Sequence, residues 1–183
     1  DKGDGGGVNN SEDPLFIGLN LNTNNNIYCL NKIFDMLVKH FRDYMLDSKY
    51  HYQQSNLANM RMNECKKKIV ILSSDGFQGS KLEEIVNYSW DMESIKREHS
   101  EFGTSNDFNR NDMIEFNRNN LSIIYPNKEG DIFSQNYDPL PFFKSGCQFM
   151  PMNFHLIDND LDDYITRFKN YGIMAKPVGL RGD

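Results

Sequence analysis

The segment at residues 158–163 is the first place where residue types and spacing suggest chemistry, because four aspartates crowd together there. They are Asp158, Asp160, Asp162 and Asp163, and carboxylate oxygens are ligands that Ca²⁺ prefers. An EF-hand calcium loop, however, also needs a glycine near its middle and a glutamate at its end, and this segment has neither. Acidic side chains also stabilise the start of a helix through its dipole. We therefore predict that these aspartates open a helix.

Two other groups of residues, a run of lysines and the cysteines, are of types that could bind ligands or react, but neither group predicts a functional site. The run Lys66–Lys68 could bind phosphate, but it precedes a predicted strand, whereas the chemistry of parallel βα proteins lies where strands end. The three cysteines, Cys29, Cys65 and Cys147, are widely spaced and form no CxxC pair. That pattern favours a reduced intracellular chain without a zinc site. Cys147 has no basic residue in its own motif, so we predict a buried thiol rather than a nucleophile.

Composition and charge argue against several classes of protein. The 183 residues carry 20 Lys and Arg against 26 Asp and Glu, a formal net charge of -6, and 38% of them are hydrophobic. An acidic chain without long basic runs argues against nucleic acid as a partner and against electrostatic anchoring on an anionic membrane. No apolar run approaches the roughly 18 residues of a membrane span. Because an initiating Met is also lacking, we expect a piece of a longer protein, with residues 1–13 as a disordered lead-in.

Two apolar runs and one amphipathic stretch define the first half of the chain. Residues 14–19 and 68–72 are almost wholly apolar or β-branched, which is typical of strands buried on both faces of a parallel sheet. Between them, apolar residues recur at three- and four-residue steps from Ile27 to Met45, which predicts an amphipathic helix. Residues 47–64 show no such pattern and are expected to form a loop or an excursion.

The alternation of strands and helices continues in the second half. The predicted elements are a short helix or ordered segment at 82–88, helices at 107–118 and 160–171, and strands at 121–125 and 147–154. Pro151 indicates a bulge or an end in the last strand. Strands that alternate with helices indicate right-handed βα units around a parallel sheet. At about 31 residues per unit, about five units of an eightfold barrel fit this length, so a further strand is expected within 89–107. An open doubly wound sheet would fit as well.

A series of short motifs in the second half is specific enough to suggest a family. In chain order the motifs are LEEIVNY at 82–88, LSIIYP at 121–126, SQNYDP at 134–139, GCQ at 146–148, NF at 153–154, KP at 176–177 and LR at 180–181. The series resembles the Y box of eukaryotic phosphoinositide-specific phospholipases C, which reads LSDLVNY, LSRxYP, SSNYxP, WxxGCQ, ALNFQ and KPxxLR. Phe143 stands where that pattern usually has its Trp.

The first half resembles the end of the X box of the same family. PLFIGLN at 14–20 is similar to PVILSLE, and KIVILSS at 68–74 is similar to KILIKGK. The resemblance implies an α/β fold in which the chain is the C-terminal part, about five βα units, of a TIM-type (β/α)8 barrel. Residues 14–79 would then be the end of the X-type half, and residues 80–183 the Y-type half.

The resemblance also implies an activity and partners. The family hydrolyses phosphatidylinositol 4,5-bisphosphate to diacylglycerol and inositol trisphosphate, with Ca²⁺ as its cofactor. The histidines that the family uses lie on the first three barrel strands, outside this chain. Because part of a barrel has unpaired strand edges, we expect the missing N-terminal half as a partner, in cis or as a second chain. A phosphoinositide membrane surface is the other expected partner, with a cytoplasmic location at the inner membrane face.

Five positions can be compared with the family residue by residue. Asn20 stands where the family has a glutamate that binds Ca²⁺, and an amide oxygen can ligate the ion but cannot take a proton. Leu72 and Ser74 replace two lysines and Ile123 replaces an arginine, all of which bind phosphates in the family. Tyr125, whose ring packs against inositol in the family, is kept. We therefore expect Tyr125 to bind substrate and Asn20 to be a weak metal ligand, and we name no catalytic residue.

These substitutions leave two interpretations open beside an active enzyme. In the first, the protein is a catalytically inactive phospholipase C-like protein that acts as an inositide- or protein-binding module. In the second, the alignment of the first half is wrong, and the true lysines and glutamate lie beyond an excised insertion. The phosphate-binding serine of the family has three competing positions, Ser94, Ser100 and Ser105.

Overall fold

The computed structural model describes residues 12–90, 95–99, 109–126 and 135–181. The chain divides into two compact units, residues 11–93 and residues 94–183, which are called here the N-terminal and C-terminal units. Of the lead-in predicted at 1–13, residues 1–11 lie outside the described ranges, as do Ser94, Ser100 and Ser105. Within the described ranges, no helix is long and apolar enough to cross a membrane.

The N-terminal unit contains a parallel sheet of three strands that lie side by side in chain order. Its strands are β1 at Leu15–Leu19, β2 at Ile69–Ser73 and β3 at Tyr88–Ser89. All five residues of β2 are buried, as expected for a strand with a neighbour on each side and apolar side chains on both faces. The strands predicted at 14–19 and 68–72 are therefore confirmed, and so is their parallel pairing.

One long helix covers this sheet. Helix α1 spans Ile27–Phe41 and begins at Asn26, whose side-chain oxygen accepts a hydrogen bond from the Cys29 N–H at 3.1 Å. Leu30 of the helix packs into a core that also includes Ile71. The helix is shorter than the stretch predicted to Met45, because the chain continues as a 3₁₀ turn at Arg42–Tyr44. Further 3₁₀ helices lie at Ser48–Tyr50, Leu57–Asn59, Met62–Cys65 and Lys81–Ile85.

The C-terminal unit contains a parallel pair of strands and three helices in its described part. The strands are β4 at Ile95–His99 and β5 at Leu121–Tyr125; the helices are α2 at Arg110–Asn119, α3 at Leu140–Lys144 and α4 at Asn159–Phe168, followed by a 3₁₀ helix at Val178–Leu180. Strand β4 lies in the segment 89–107, where a further strand was expected. The strand predicted at 121–125 is confirmed to the residue, and the helices predicted near 107–118 and 160–171 are confirmed with shifted ends.

The strand predicted at 147–154 is wrong over most of its length. Only Phe149 pairs in the manner of a strand: its N–H donates to the Ser122 carbonyl at 3.1 Å, and its carbonyl accepts the Ile124 N–H at 2.9 Å. Pro151 has no N–H with which to extend the ladder. On the other side of Phe149, the side chain of Gln148 accepts the Ser122 N–H at 2.6 Å and so takes the place of a strand partner.

Candidate functional site

Three residues follow the ends of the strands in the N-terminal unit, where parallel sheets carry their chemistry. Asn20 comes directly after β1, is exposed, and has a side chain without a hydrogen-bond partner in the described part of the chain. Ser74 comes directly after β2, and its hydroxyl accepts the Leu21 N–H at 2.8 Å. Trp90 comes directly after β3, and its backbone N–H donates to the Ser73 carbonyl at 2.9 Å. Of these three side chains, that of Asn20 is open for a ligand and the hydroxyl of Ser74 is already engaged.

Leu72 lies inside the sheet and cannot contact a ligand from the strand ends. It is in register with Gly18 of β1 on one side and with Tyr88 of β3 on the other. Only 3% of its surface is exposed. A cation at this position would have to leave the core to reach solvent, whereas leucine adds to the apolar burial that stabilises the sheet.

The indole of Trp90 lies against the backbone of β1. A methyl group added to Gly18 would come within 3.0 Å of Trp90 Cζ2 and 3.3 Å of Cη2. Glycine at position 18 therefore makes room for the indole. Sequence reasoning missed Trp90, although it is the one tryptophan of the chain and follows two residues after the VNY of a recognised motif.

The motif at 82–88 supports the N-terminal unit through two polar side chains. Asn87 is buried; its side chain accepts the Ile71 N–H at 2.9 Å and donates to the Tyr50 carbonyl at 3.3 Å. Glu83 accepts hydrogen bonds of 2.8 Å from the Gly79 N–H and from the Tyr52 hydroxyl. The Gly79 N–H, followed by the Tyr52 hydroxyl, lowers the pKa of Glu83. Burial, together with the hydrogen bond to Glu83, raises the pKa of Tyr52 to about 12.

Tyr125, the predicted substrate contact, is the last residue of β5 in the C-terminal unit. It is half-buried, and it lies at the carboxyl end of its strand, where a ligand of a parallel sheet would bind. Ile123, two residues earlier, is 3% exposed and pairs with Phe149. The position that carries arginine in the family is thus part of the sheet interior here.

A buried polar network lies beneath the GCQ motif. Asn117 of α2 is 1% exposed; its amide donates to the Ser145 carbonyl at 2.9 Å and to Cys147 Sγ at 3.4 Å, and its oxygen accepts the Ser122 hydroxyl. The ammonium of Lys176 donates to the Asn117 carbonyl. Burial raises the pKa of Cys147 to about 11, which agrees with the predicted buried thiol and leaves it protonated at neutral pH.

A second network joins the SQNYDP motif to the segment before α4. Asn136 accepts the Asn153 N–H at 2.6 Å and donates to the Leu156 carbonyl at 3.0 Å. Its amide also reaches Asp158, which caps α4 by accepting the Leu161 N–H at 2.9 Å. That backbone N–H is the main reason why the pKa of Asp158 is lowered. The prediction that the aspartates open a helix is confirmed at Asp158.

The residues that the structure describes do not fit a calcium ion by themselves. They contain no group of three or more His, Cys, Asp or Glu side chains that could hold a metal. Asn20 offers one neutral amide oxygen, whereas Ca²⁺ takes roughly six to eight oxygen ligands. Asn20 could therefore be at most one ligand of a site completed by other residues.

Comparisons with known proteins identify the family. The model for the phosphatidylinositol-specific phospholipase C Y domain matches residues 65–179. The chain therefore belongs to the family of phosphatidylinositol-specific phospholipase C Y domains. A search among curated proteins found no match.

Solved structures agree with the family at the level of the fold. PLC21 from S. officinalis superimposes with a TM-score of 0.75 at 16% sequence identity, and PLC21 from L. pealei with a TM-score of 0.73 at 15% identity. In both cases the similarity covers 93% of this chain and 27% of the other chain. The chain thus spans about a quarter of the length of these phospholipase C structures, and its α/β fold resembles part of a phospholipase C.

Proposed function

We propose that this chain is part of the catalytic domain of a phosphoinositide-specific phospholipase C. Its residues 14–79 would form the end of the X-type half and residues 80–183 the Y-type half of a TIM-type barrel, as about five βα units. The observation that carries the proposal is the Y-domain match over 65–179. The parallel pairing of β1 with β2 and of β4 with β5 supports it, since parallel strands are what a βα barrel requires.

The proposed reaction is the calcium-dependent hydrolysis of a phosphoinositide to diacylglycerol and an inositol phosphate, with phosphatidylinositol 4,5-bisphosphate as the substrate expected from the family. Catalysis would also require the first half of the barrel and would take place at the cytoplasmic face of a membrane. Tyr125 is the proposed substrate contact in this chain, because it is half-buried at a strand end. Asn20 is the proposed weak metal ligand, and the other calcium ligands would come from outside the described residues.

A second candidate function is favoured by three buried or engaged positions. Leu72 and Ile123 are each 3% exposed, and the Ser74 hydroxyl already accepts a backbone hydrogen bond. None of them offers a charge to a phosphate, and charge-assisted hydrogen bonds contribute about 1.5–3 kcal/mol each to recognition. A catalytically inactive module that binds inositides or proteins would tolerate these losses.

The experiment that separates the two functions measures inositol phosphate release from labelled phosphoinositide vesicles. The complete natural protein that contains this chain should be assayed with calcium and with chelator, beside Tyr125→Ala. Tyr171→Ala is the matched control, because Tyr171 is an exposed tyrosine of the same unit. Turnover that is lost in chelator and falls in Tyr125→Ala but not in Tyr171→Ala would support the enzyme.

Asn20→Glu tests the second candidate directly, with Asn20→Gln as the neutral control. If Asn20→Glu gains turnover and Asn20→Gln does not, a carboxylate at this position takes part in the chemistry. Absence of turnover in the natural protein and in both variants, with vesicle binding retained, would favour the inactive binding module.

A further inference from the structure

A cavity, called here the amino-end cavity, lies at the amino end of β2, opposite the strand ends where the candidate site lies. Its volume is about 420 Å³, within the range of roughly 300–1,000 Å³ that is typical of small-molecule sites. Its lining residues fall within 45–50, after α1, and within 64–68, before β2. Because β2 has five residues, the cavity lies roughly 15 Å from the carboxyl ends of the strands. It is therefore separate from the residues proposed for the phospholipase C function.

Backbone contacts hold both parts of this lining in place. Met45 forms a parallel bridge with Ile69, the first residue of β2, and the Leu46 N–H donates to the Ile69 carbonyl at 3.2 Å. On the other side, the Lys68 N–H donates to the Cys65 carbonyl at 2.9 Å. The fold therefore forms the amino-end cavity in advance, and Met45 and Leu46 supply its apolar residues.

Two anionic side chains of the lining are each fixed by a bond within the protein. The carboxylate of Asp47 accepts the Lys49 backbone N–H at 2.9 Å. The carboxylate of Glu64 accepts the Tyr50 hydroxyl at 3.1 Å. The ring of Tyr50 also holds a cation, since the Lys49 ammonium lies 4.8 Å from its centroid. These contacts position one cation and two carboxylates around the cavity.

The second cation of the lining, Lys68, is left without a counterion. Lys68 is half-buried, and within the described ranges its ammonium forms no hydrogen bond or ion pair. The residue belongs to the run Lys66–Lys68, for which the sequence predicted no site because the run precedes β2. The structure separates the members of that run: Lys66 is exposed, Lys67 pairs with Glu12 at 2.7 Å, and Lys68 faces the amino-end cavity.

The charges of the lining complement a ligand that carries both signs. Two lysines and two carboxylates give a formal charge of zero, so the cavity attracts neither a polyanion nor a polycation. In the described part of the chain no salt bridge joins these four side chains to one another. An anionic group of a ligand can pair with Lys68 and a cationic group with Glu64, in charge-assisted hydrogen bonds. An apolar part of the same ligand can pack on Met45 and Leu46.

We propose that the amino-end cavity binds a small zwitterion of the α-amino-acid class with an apolar side chain. The ligand's carboxylate binds the Lys68 ammonium, its ammonium binds the Glu64 carboxylate, and its side chain contacts Met45 and Leu46. The inference does not depend on the proposed phospholipase C function, because it rests on the other end of the sheet and on residues outside the family motifs of the second half.

The test compares four ligands on the complete natural protein by titration calorimetry. Phenylalanine carries all three features, phenylpropanoate lacks the ammonium, phenylethylamine lacks the carboxylate, and glycine lacks the apolar side chain. Phenylalanine should bind, and each of the other three should bind roughly tenfold more weakly or less, the size of one charge-assisted hydrogen bond or of one buried apolar side chain.

Two variants then assign each charge of the ligand to one residue. Lys68→Met should weaken the binding of phenylalanine by roughly tenfold and leave phenylethylamine unaffected, because that ligand has no carboxylate. Lys66→Met is the matched control, because it makes the same change at an exposed lysine outside the lining. Glu64→Gln keeps an acceptor for the Tyr50 hydroxyl; it should weaken phenylalanine but not phenylpropanoate, which has no ammonium.

The crossed pattern also separates a lost contact from a damaged fold. A variant that loses all four ligands together and unfolds at a lower temperature is misfolded, and the other variant then decides. Failure of phenylalanine to bind at its highest soluble concentration would overturn the inference. So would equal effects of Lys68→Met and Lys66→Met, or binding of phenylpropanoate or phenylethylamine as tight as that of phenylalanine. None of these measurements depends on lipid hydrolysis, so failure of the proposed enzyme would not affect them.

Discussion

The buried amide of Asn117 is predicted to contribute strongly to the stability of the fold. Replacing Asn117 with leucine removes the donor to the Ser145 carbonyl and the acceptor of the Ser122 hydroxyl. Ser122 and Ser145 are both fully buried, so water cannot replace the lost partner. Each buried polar group left unsatisfied costs about 1–3 kcal/mol. We expect Asn117→Leu to lower the free energy of unfolding by about 2–5 kcal/mol, measured by chemical denaturation of the protein that contains the chain.

Two comparisons isolate the hydrogen bonds as the cause. Asn119→Leu makes the same change at an exposed position of α2, two residues away. Both variants therefore replace asparagine with a better helix former. We expect Asn119→Leu to change the free energy of unfolding by no more than about 0.5 kcal/mol. In Asn117→Leu combined with Ser122→Ala, both partners of one hydrogen bond are gone. The double variant should be less destabilised than the sum of the singles, by about 0.5–3 kcal/mol. Strict additivity, or equal effects at 117 and 119, would refute the reasoning.

Three further predictions concern other parts of the molecule. Gly146 has φ of 76°, and an added methyl would lie 3.0 Å from Leu180 Cδ1, so Gly146→Ala should lower the thermal midpoint; an unchanged midpoint would contradict that contact. Cys147 should resist thiol reagents at about pH 8 until the protein unfolds, because burial raises its pKa to about 11, whereas the half-buried Cys29 should react first. Glu83 has a pKa held below its ordinary value of 4.5. Its contribution to stability is therefore present above that value and is lost as the pH falls through the lowered pKa, and acid titration of Glu83→Gln should show a smaller loss.

The elements that could be predicted from the sequence are those whose pattern is decided locally. Strand β2 is buried at every position, so its apolar run is continuous, and β5 ends where Pro126 follows it. Helix α1 has one apolar stripe and an asparagine cap, both of which can be read from spacing. The predicted ends of strands and helices are wrong where a side chain from a distant part of the sequence determines the backbone conformation. The segment after Phe149 was predicted as strand, but Asn136 binds its backbone at Asn153 and keeps it out of the ladder.

For the candidate site, too, some features could be predicted from the sequence and others could not. Asn20 and Tyr125 could be placed at strand ends from the sequence, because they directly follow or close an apolar run, and Ser74 lies two residues beyond the end of another such run. The engagement of the Ser74 hydroxyl by Leu21 could not be predicted, since it depends on how two loops meet. The contact of Trp90 with Gly18 could not be predicted either, because it joins a residue of β1 to the residue after β3, and these are 72 positions apart in the sequence.

The residues that make the family recognisable are mostly ones that hold the fold together. Asn136, Gln148 and Asn87 each bind backbone groups of a distant segment, and such bonds are lost together with the fold if the residue changes. A side chain at a strand end that bonds no distant backbone group in the described part of the chain, such as the exposed Asn20, can by contrast be replaced without unfolding the protein. A chain of this family can therefore keep its structural motifs while its strand ends acquire different chemistry. For that reason the Y-domain match shows the family of this chain, whereas its substrate has to be argued from the residues at its strand ends.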